Sequence, residues 1–237
     1  MSFSPEMLAL APLWYVAFLL SLTCHEAAHA LAAQWGGDPT AAQGGQVTLN
    51  PLPHIQREPF GTVIVPLLSY VLAGWMVGWA SAPYNPYWQQ RYPHRAAWMA
   101  LAGPAANLLL VIVAGIAIHI GMALGEFGAP ASIGFANVVT AQAPGTTAEA
   151  VASFLSILFT LNLLLMTFNL LPVPPLDGNT AIGLLMTESA ALRFYEFSRQ
   201  PGFAMIGLLL AWSFFGRVVG PIFVFALKLL YPFLSYG

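Results

Sequence analysis

Long apolar stretches with little or no charge dominate this sequence and determine the solvent in which it can fold. Five such segments cover residues 7–35, 60–82, 96–124, 150–176 and 201–230. About 20 apolar residues are enough to cross the hydrocarbon core of a bilayer. Only 7% of the residues are charged, against about 25% in a typical soluble domain, so the chain cannot build a polar shell. The sequence therefore predicts an integral membrane protein that is solvated mainly by the lipid bilayer.

The connections between these segments leave no room for a separate soluble domain. Residues 36–59 are rich in glycine, proline and polar groups, with a short β-like stretch at 46–49. We expect an all-α polytopic membrane protein with about five to six transmembrane or re-entrant helices and this β-like loop element after the first helix. It forms one domain over residues 1–237, with its core over about 7–187 and a C-terminal membrane segment over about 201–232.

The charge balance and the cysteine count exclude two further properties. A formal net charge of −2 provides no basic field, so nucleic acid is not an expected partner. Cys24 is the single cysteine, so no intrachain disulfide can form. The remaining candidate functions are those of proteins that act within or beside the bilayer.

One ionisable cluster interrupts the first apolar segment. His25-Glu26-Ala27-Ala28-His29 is an H-E-x-x-H pattern at the polar end of that segment. On an α-helix, residues four apart share a face, so both imidazoles can reach one metal ion, with Glu26 placed to accept a proton from water. Neutral imidazoles suit Zn²⁺, and three protein ligands plus an open position define a catalytic zinc site. Because ionisable groups are costly in a membrane segment and usually mark function, we expect one bound zinc ion rather than an accidental pattern.

A third ligand has to come from elsewhere in the chain, which contains only two aspartates. Asp38 lies in Gly-Gly-Asp-Pro, an ordinary turn composition that needs no function. Asp177 lies at the end of a long uncharged segment, where a carboxylate needs a cation, and zinc on the two histidines would supply one. The alternative for Asp177 is a helix cap at the membrane surface.

Two further motifs complete a pattern that resembles a known family. Residues 169–178 read N-L-L-P-V-P-P-L-D-G and residues 103–107 read G-P-A-A-N. Together with H-E-x-x-H, they resemble the site-2 protease family of intramembrane metalloproteases, in which an H-E-x-x-H helix and an N-x-x-P-x-P-x-L-D-G segment build one zinc site. The resemblance covers roughly residues 20–180 and is to the compact bacterial type without accessory domains.

The resemblance assigns roles to individual residues. It implies that His25, His29 and Asp177 bind one zinc ion and that Glu26 is the general base. It also implies that Asn169 contacts the backbone of the substrate or steadies the site.

Two more residues are candidates for contact with substrate. Asn107 ends the G-x-x-x-N motif, although an amide at this position can equally form a structural hydrogen bond between helices. His54 lies in the polar loop after the first segment and is a candidate to line the site. The alternative for His54 is a solvated or turn-bonding histidine.

The function implied by the resemblance is hydrolysis of peptide bonds in or near the transmembrane segments of membrane-anchored proteins. The expected location is the bacterial cytoplasmic membrane, with an upstream protease or a regulatory partner acting before the cut. The alternatives are a membrane metal-binding or transport protein and a catalytically inactive protease-like scaffold. A transporter would need polar groups on several segments, whereas this chain has one cluster, and a mere binding site has little use for Glu26.

The charged loops leave the membrane topology open. The arginines of two loops favour a cytoplasmic position for both: Arg91, Arg95, Arg193 and Arg199. If all five segments crossed fully, the histidine pair and Asp177 would lie near opposite membrane faces and could not share a metal ion. A re-entrant segment at 60–82 would remove this conflict, as would a partial crossing at 131–143.

Overall fold

The computed structural model describes residues 5–233, and nearly all of its regular structure is helical. The helices are α1 (Pro5–Trp35), α2 (Thr40–Gln43), α3 (Leu52–Arg57), α4 (Val65–Ala73), α5 (Pro86–Arg91), α6 (Pro93–Ala123), α7 (Thr147–Asn169), α8 (Asp177–Ala181), α9 (Glu188–Ser198) and α10 (Phe203–Leu230). A π-helical turn, Phe60–Ile64, runs into α4, and a 3-10 turn, Ile182–Leu185, follows α8. Two short antiparallel strands, β1 (Phe127–Gly128) and β2 (Thr140–Ala141), lie between α6 and α7.

Four helices within the described range are long and apolar enough to cross a membrane. They are α1, α6, α7 and α10, and a shorter apolar helix covers Phe60–Ala73. This confirms the predicted all-α polytopic membrane class, with five membrane-associated segments. The fifth predicted segment is one continuous helix, α10, which passes through Arg217 and Pro221 without a break.

The second predicted segment differs from a simple crossing helix. Its helix ends at Ala73, because Gly74 adopts a left-handed conformation with φ of 78°. Residues 76–85, which we call the return segment, form neither helix nor strand. Trp75 stacks on Phe135 in the connection between α6 and α7, with ring centroids 5.7 Å apart. The chain therefore reaches the far end of the bundle as a helix and comes back in an irregular conformation.

The β-like stretch predicted at residues 46–49 is wrong. These residues form bends, since the backbone N–H of Gln46 donates to Ala41 O and closes the turn after α2. A strand requires a neighbouring backbone to pair with, and alternation of side chains cannot supply one. The paired strands lie instead between α6 and α7.

Helices α1, α6 and α7 pack against one another and form the core. On α1 the buried side chains of Phe18, Leu22, His25 and His29 follow the spacing of a single helical stripe. The same stripe that buries apolar groups deep in the bundle thus carries both histidines towards its polar end. Helix α10 is peripheral, and most of its side chains are exposed to lipid.

One end of the bundle carries the features of a cytoplasmic membrane interface. Trp35, Trp98 and Tyr87 are exposed there, as expected of an aromatic belt. Arg95 donates to Gly36 O, just beyond the end of α1. Arg199 bonds to Gln89 of α5, so the second arginine loop lies at this end too.

This arrangement resolves the topological conflict. The chain from Phe60 to residue 85 enters the bundle and returns to the same end, so it adds no net crossing between α1 and α6. The end of α1, the start of α6 and the end of α7 consequently share one membrane face, and the arginines favour the cytoplasmic side for that face.

Candidate metal centre

The two histidines of α1 face each other across a small polar centre. The Nε2 atoms of His25 and His29 are 3.0 Å apart, and both side chains are buried. His25 lies ten residues before the end of α1, which is roughly 15 Å along a helix axis. The centre therefore lies inside the bundle, between its middle and the end that carries the arginines.

Asp177 completes the centre from a distant part of the sequence. Its Oδ2 lies 3.1 Å from His25 Nε2, and its Oδ1 lies 3.3 Å from His29 Nε2. One ligand atom from each of the three side chains can be chosen so that all lie within 4.8 Å of one another. The structure thus brings together the three residues predicted to hold the metal ion.

The proline-rich turn after α7 places Asp177. Helix α7 ends at Asn169, and the chain then reverses through a hydrogen bond from Leu176 N to Val173 O. Gly178 packs so closely against the end of α7 that a Cβ there would lie 2.4 Å from the carbonyl oxygens of Leu170 and Leu171. The glycine of the L-D-G motif is therefore required for Asp177 to start α8 at this position.

The electrostatics of Asp177 suit a metal ligand. Burial acts to raise the pKa of this carboxyl, whereas the imidazoles of His29 and His25 act to lower it, and the net shift is well below its usual range. The carboxyl is therefore ionised at neutral pH, as ligation requires. Its Oδ2 atom is buried and makes no hydrogen bond. Two imidazole nitrogens and an aspartate carboxylate are a donor set that fits zinc.

Helix α6 leaves space for the imidazoles by presenting a glycine. A Cβ added at Gly103 would lie 2.4 Å from His29 Nε2 and 2.5 Å from His25 Nε2. Such contacts are closer than any real side chain can tolerate, so the glycine of the G-x-x-x-N motif forms an open wall of the centre.

The outer nitrogen of each imidazole is held by a separate acceptor. His25 Nδ1 lies 2.6 Å from Asn107 Oδ1, and His29 Nδ1 lies 2.8 Å from Met99 O. A ring that donates through Nδ1 keeps its Nε2 lone pair available for a metal ion. Asn107, predicted as a candidate contact for substrate, thus lies behind a ligand.

Glu26 lies beside the ligand pair without taking part in it. It is about 100° further round the helix than His25, and its side chain is 5% exposed. Within residues 5–233 its carboxylate makes no hydrogen bond or ion pair, unlike that of Asp177. A free buried carboxylate next to a metal centre suits a general base.

The remaining predicted site residues lie further from the centre. Asn169 donates from Nδ2 to Leu165 O at the end of α7. His54 is buried on α3 with Nε2 3.3 Å from Thr48 O, and it is outside the cluster of three ligands. Contact of either residue with substrate stays a prediction.

Sequence reasoning missed two polar residues that the structure places behind the centre. Asn162 on α7 bonds to Asn107, and Ser21 on α1 bonds to Asn162. The available signal was an amide within an uncharged membrane segment, since polar groups there usually serve packing between helices or function.

Comparison with known proteins extends these findings. The sequence pattern of peptidase family M50 matches residues 13–214. Two relatives carry the names of zinc metalloproteases. YwhC of Bacillus subtilis is 36% identical over 177 residues, covering 72% of this chain and 68% of YwhC. Rip2 of Mycolicibacterium smegmatis is 29% identical over 193 residues, covering 81% of this chain and 64% of Rip2.

The chain thus spans about two thirds of the length of each relative. No solved structure matches it. With the family pattern matched over most of the chain and a histidine–aspartate centre of the expected composition between its helices, the chain belongs to peptidase family M50, the site-2 protease family of membrane zinc metalloproteases.

Proposed function

We propose that this protein is an intramembrane zinc endopeptidase in which His25, His29 and Asp177 hold one zinc ion and Glu26 is the general base. The observation that carries this proposal is the convergence of ligand atoms from α1 and α8, which are about 150 residues apart in sequence. The centre lies beneath the cytoplasmic end of the bundle, where a membrane-embedded peptide bond can meet water.

The side chains divide the chemistry between them. When bound, zinc supplies a Lewis acid that activates water at neutral pH and polarises a carbonyl group. Glu26 accepts the proton of the attacking water and passes it to the leaving amine. Asn107 and Met99 O hold the two imidazoles in fixed orientations, which keeps the reacting geometry constant.

The substrates are membrane-embedded proteins, as for the family as a whole. We further propose that they are membrane-anchored proteins cut in or near a transmembrane segment, after an upstream protease or a regulatory partner has acted. The proposed location is the bacterial cytoplasmic membrane, because both named relatives are bacterial. Residues 7–187 form the proposed catalytic core, with the membrane segment over 201–232 attached to it.

Metal removal tests the proposed function directly. Purified protein in lipid nanodiscs is expected to contain one zinc ion per chain, measured by elemental analysis. Dialysis against a chelator should remove the zinc together with cleavage of a membrane-anchored reporter, and added Zn²⁺ should restore both. Cleavage that persists after complete removal of the metal would contradict the proposal.

The return segment offers a surface for an extended substrate. Gly78 packs against Phe18, and the backbone N–H of Asn85 donates to Asp38 Oδ2 beyond the end of α1. Residues 80–82 therefore pass the depth of the two histidines. Within the described chain, the backbone N–H and C=O groups of these three residues make no hydrogen bond. Unpaired peptide groups are costly at membrane depth, so they need water or a partner backbone.

The direction of the backbone groups leaves two N–H donors of residues 80–82 facing away from the Phe60–Ala73 helix. The backbone N–H groups of Val77 and Trp79 face the Phe60–Ala73 helix, where they donate to Ser69 Oγ and Gly61 O. Successive N–H groups of an extended chain point in opposite directions, so those of Ala80 and Ala82 face away from that helix. We propose that an unwound substrate pairs with this edge as an added strand.

Proline substitution tests this pairing. Ala80→Pro and Ala82→Pro each remove one N–H donor and are expected to slow cleavage of the reporter roughly two- to tenfold, because a backbone hydrogen bond contributes about 0.5–1.5 kcal/mol. Zinc content should stay at one per chain. The matched control is Ala80→Val, which adds bulk but keeps the N–H group. Equal rates for the proline and valine variants would exclude strand pairing at this edge.

A further inference from the structure

A continuous chain of buried polar groups runs behind the metal centre and links three long helices. Ser21 and His25 lie on α1, Asn107 on α6 and Asn162 on α7, and the two amides and Ser21 are fully buried. Asn162 Nδ2 lies 2.8 Å from Ser21 Oγ, and Asn107 Nδ2 lies 2.8 Å from Asn162 Oδ1. The chain ends at His25 Nδ1, 2.6 Å from Asn107 Oδ1.

Two backbone carbonyls fix the direction of the first bonds. Ser21 Oγ lies 2.6 Å from Ala17 O, and a carbonyl oxygen can only accept, so the hydroxyl donates there. The amide nitrogen of Asn162 lies 2.8 Å from Leu158 O and 2.8 Å from Ser21 Oγ, so it donates to both. Both N–H groups of the Asn162 amide therefore have an acceptor, and this determines the orientation of the amide.

The same direction continues to the metal ligand. Because Asn162 Oδ1 is the acceptor, Asn107 must turn its Nδ2 towards Asn162 and its Oδ1 towards His25. An amide oxygen can only accept, so His25 donates through Nδ1–H. That tautomer leaves the lone pair of His25 on Nε2, which is the atom facing His29 and Asp177.

We propose that Asn162 is a positioning residue that fixes the tautomer and ring orientation of His25 through Asn107, and so sets the metal affinity of the centre. This inference rests on the proposed function. Without Asn162, the Asn107 amide keeps only a long bond of 3.4 Å from Nδ2 to Ser21 O, so it can turn over and present its NH₂ group to His25. The imidazole would then carry its proton on Nε2, where it blocks ligation.

A double-mutant cycle tests the inference through metal affinity. Wild type, Asn107→Leu, Asn162→Leu and the double variant are titrated with Zn²⁺ against a chromophoric chelator, and with Co²⁺ to record its visible absorption. Loss of Asn107 is expected to lower zinc affinity roughly 10–100-fold, and loss of Asn162 about tenfold, as for outer partners of a ligating histidine. The double variant should bind zinc no more weakly than Asn107→Leu, because both act on the same ring nitrogen.

The control is another buried polar residue of α7. The Thr167 hydroxyl donates to Leu163 O of its own helix, so Thr167→Val removes a buried bond without touching the chain to His25. It is expected to keep wild-type zinc affinity and the wild-type cobalt spectrum. If Asn162→Leu does not give a monodisperse protein, Asn162→Ala carries the same expectation.

The outcomes separate this inference from the proposed function. Unchanged zinc affinity in Asn162→Leu, or losses that multiply in the double variant, would overturn the role of Asn162 while leaving the zinc site intact. A wild-type protein that binds no zinc would instead overturn the proposed function.

Discussion

Replacing Glu26 by glutamine is expected to abolish peptide-bond cleavage while leaving zinc bound. The substitution conserves the size of the side chain but removes its ability to accept a proton. None of the three ligand side chains bonds to Glu26, so the centre itself should be unchanged. Removing a general base lowers rates by roughly 10²- to 10⁴-fold. The measurement is the rate of reporter cleavage in nanodiscs, together with zinc content.

A matched control variant and a comparison of the membrane proteins that accumulate in cells complete this test. Glu58→Gln changes a carboxylate just before the Phe60–Ala73 helix that already accepts a hydrogen bond from Ser81 of the return segment, and cleavage should continue. Membrane-anchored proteins that accumulate in cells with Glu26→Gln, relative to wild type, would identify the substrates. Full cleavage by the Glu26→Gln protein with zinc bound would show that Glu26 is not the general base.

The three predicted metal ligands were accessible from sequence because their chemistry is local or unusual. The i, i+4 spacing of His25 and His29 predicts a shared helical face with no knowledge of the fold. Asp177 is one of two aspartates in the chain, and the cost of a carboxylate in an apolar setting draws attention to it. Its assignment to the same metal ion rested on the family resemblance, because nothing local shows that α8 meets α1.

The path of residues 60–82 could not be predicted from hydropathy, which measures only the affinity of a segment for lipid. The whole segment is apolar, yet its helix ends at Ala73, just before Gly74. Tertiary contacts stabilise the return path, because Trp75 stacks on Phe135 and Trp79 N donates to Gly61 O. Such contacts, between residues distant in sequence, determine the path of this segment. That path removes the conflict in topology that the arginine positions alone could not remove.

Asn162 was missed for a related reason. An amide in a membrane helix signals a polar contact, but its partner is not encoded nearby. Only the packing of α1, α6 and α7 shows that Asn162 reaches His25 through one intermediate side chain. Residues that orient a metal ligand through another side chain are consequently harder to find from a single sequence than the ligands themselves.

Replacing Gly103 by alanine is expected to remove zinc and activity together. The added methyl group would occupy the space of both imidazole Nε2 atoms, which lie 2.4 and 2.5 Å from the position of its Cβ. Ordinary contacts are about 3.5–4.0 Å, so the rings must move by about 1 Å, whereas zinc sites tolerate roughly 0.2 Å in ligand distance. The loss of zinc affinity should exceed the roughly 10–100-fold effect of losing an outer partner.

The direction of the change distinguishes an effect on metal binding from an effect on helix stability. Alanine is favoured over glycine within a helix by about 1 kcal/mol, so helix propensity alone predicts that Gly103→Ala stabilises the protein. Gly115→Ala on the same helix is the matched control, because a Cβ there meets only ordinary contacts at 3.8 and 3.9 Å. Gly115→Ala should keep zinc and activity and slightly raise thermal stability, and Gly103→Ala should lose zinc without unfolding. Full zinc occupancy in Gly103→Ala would mean that α6 does not form the wall of the metal centre.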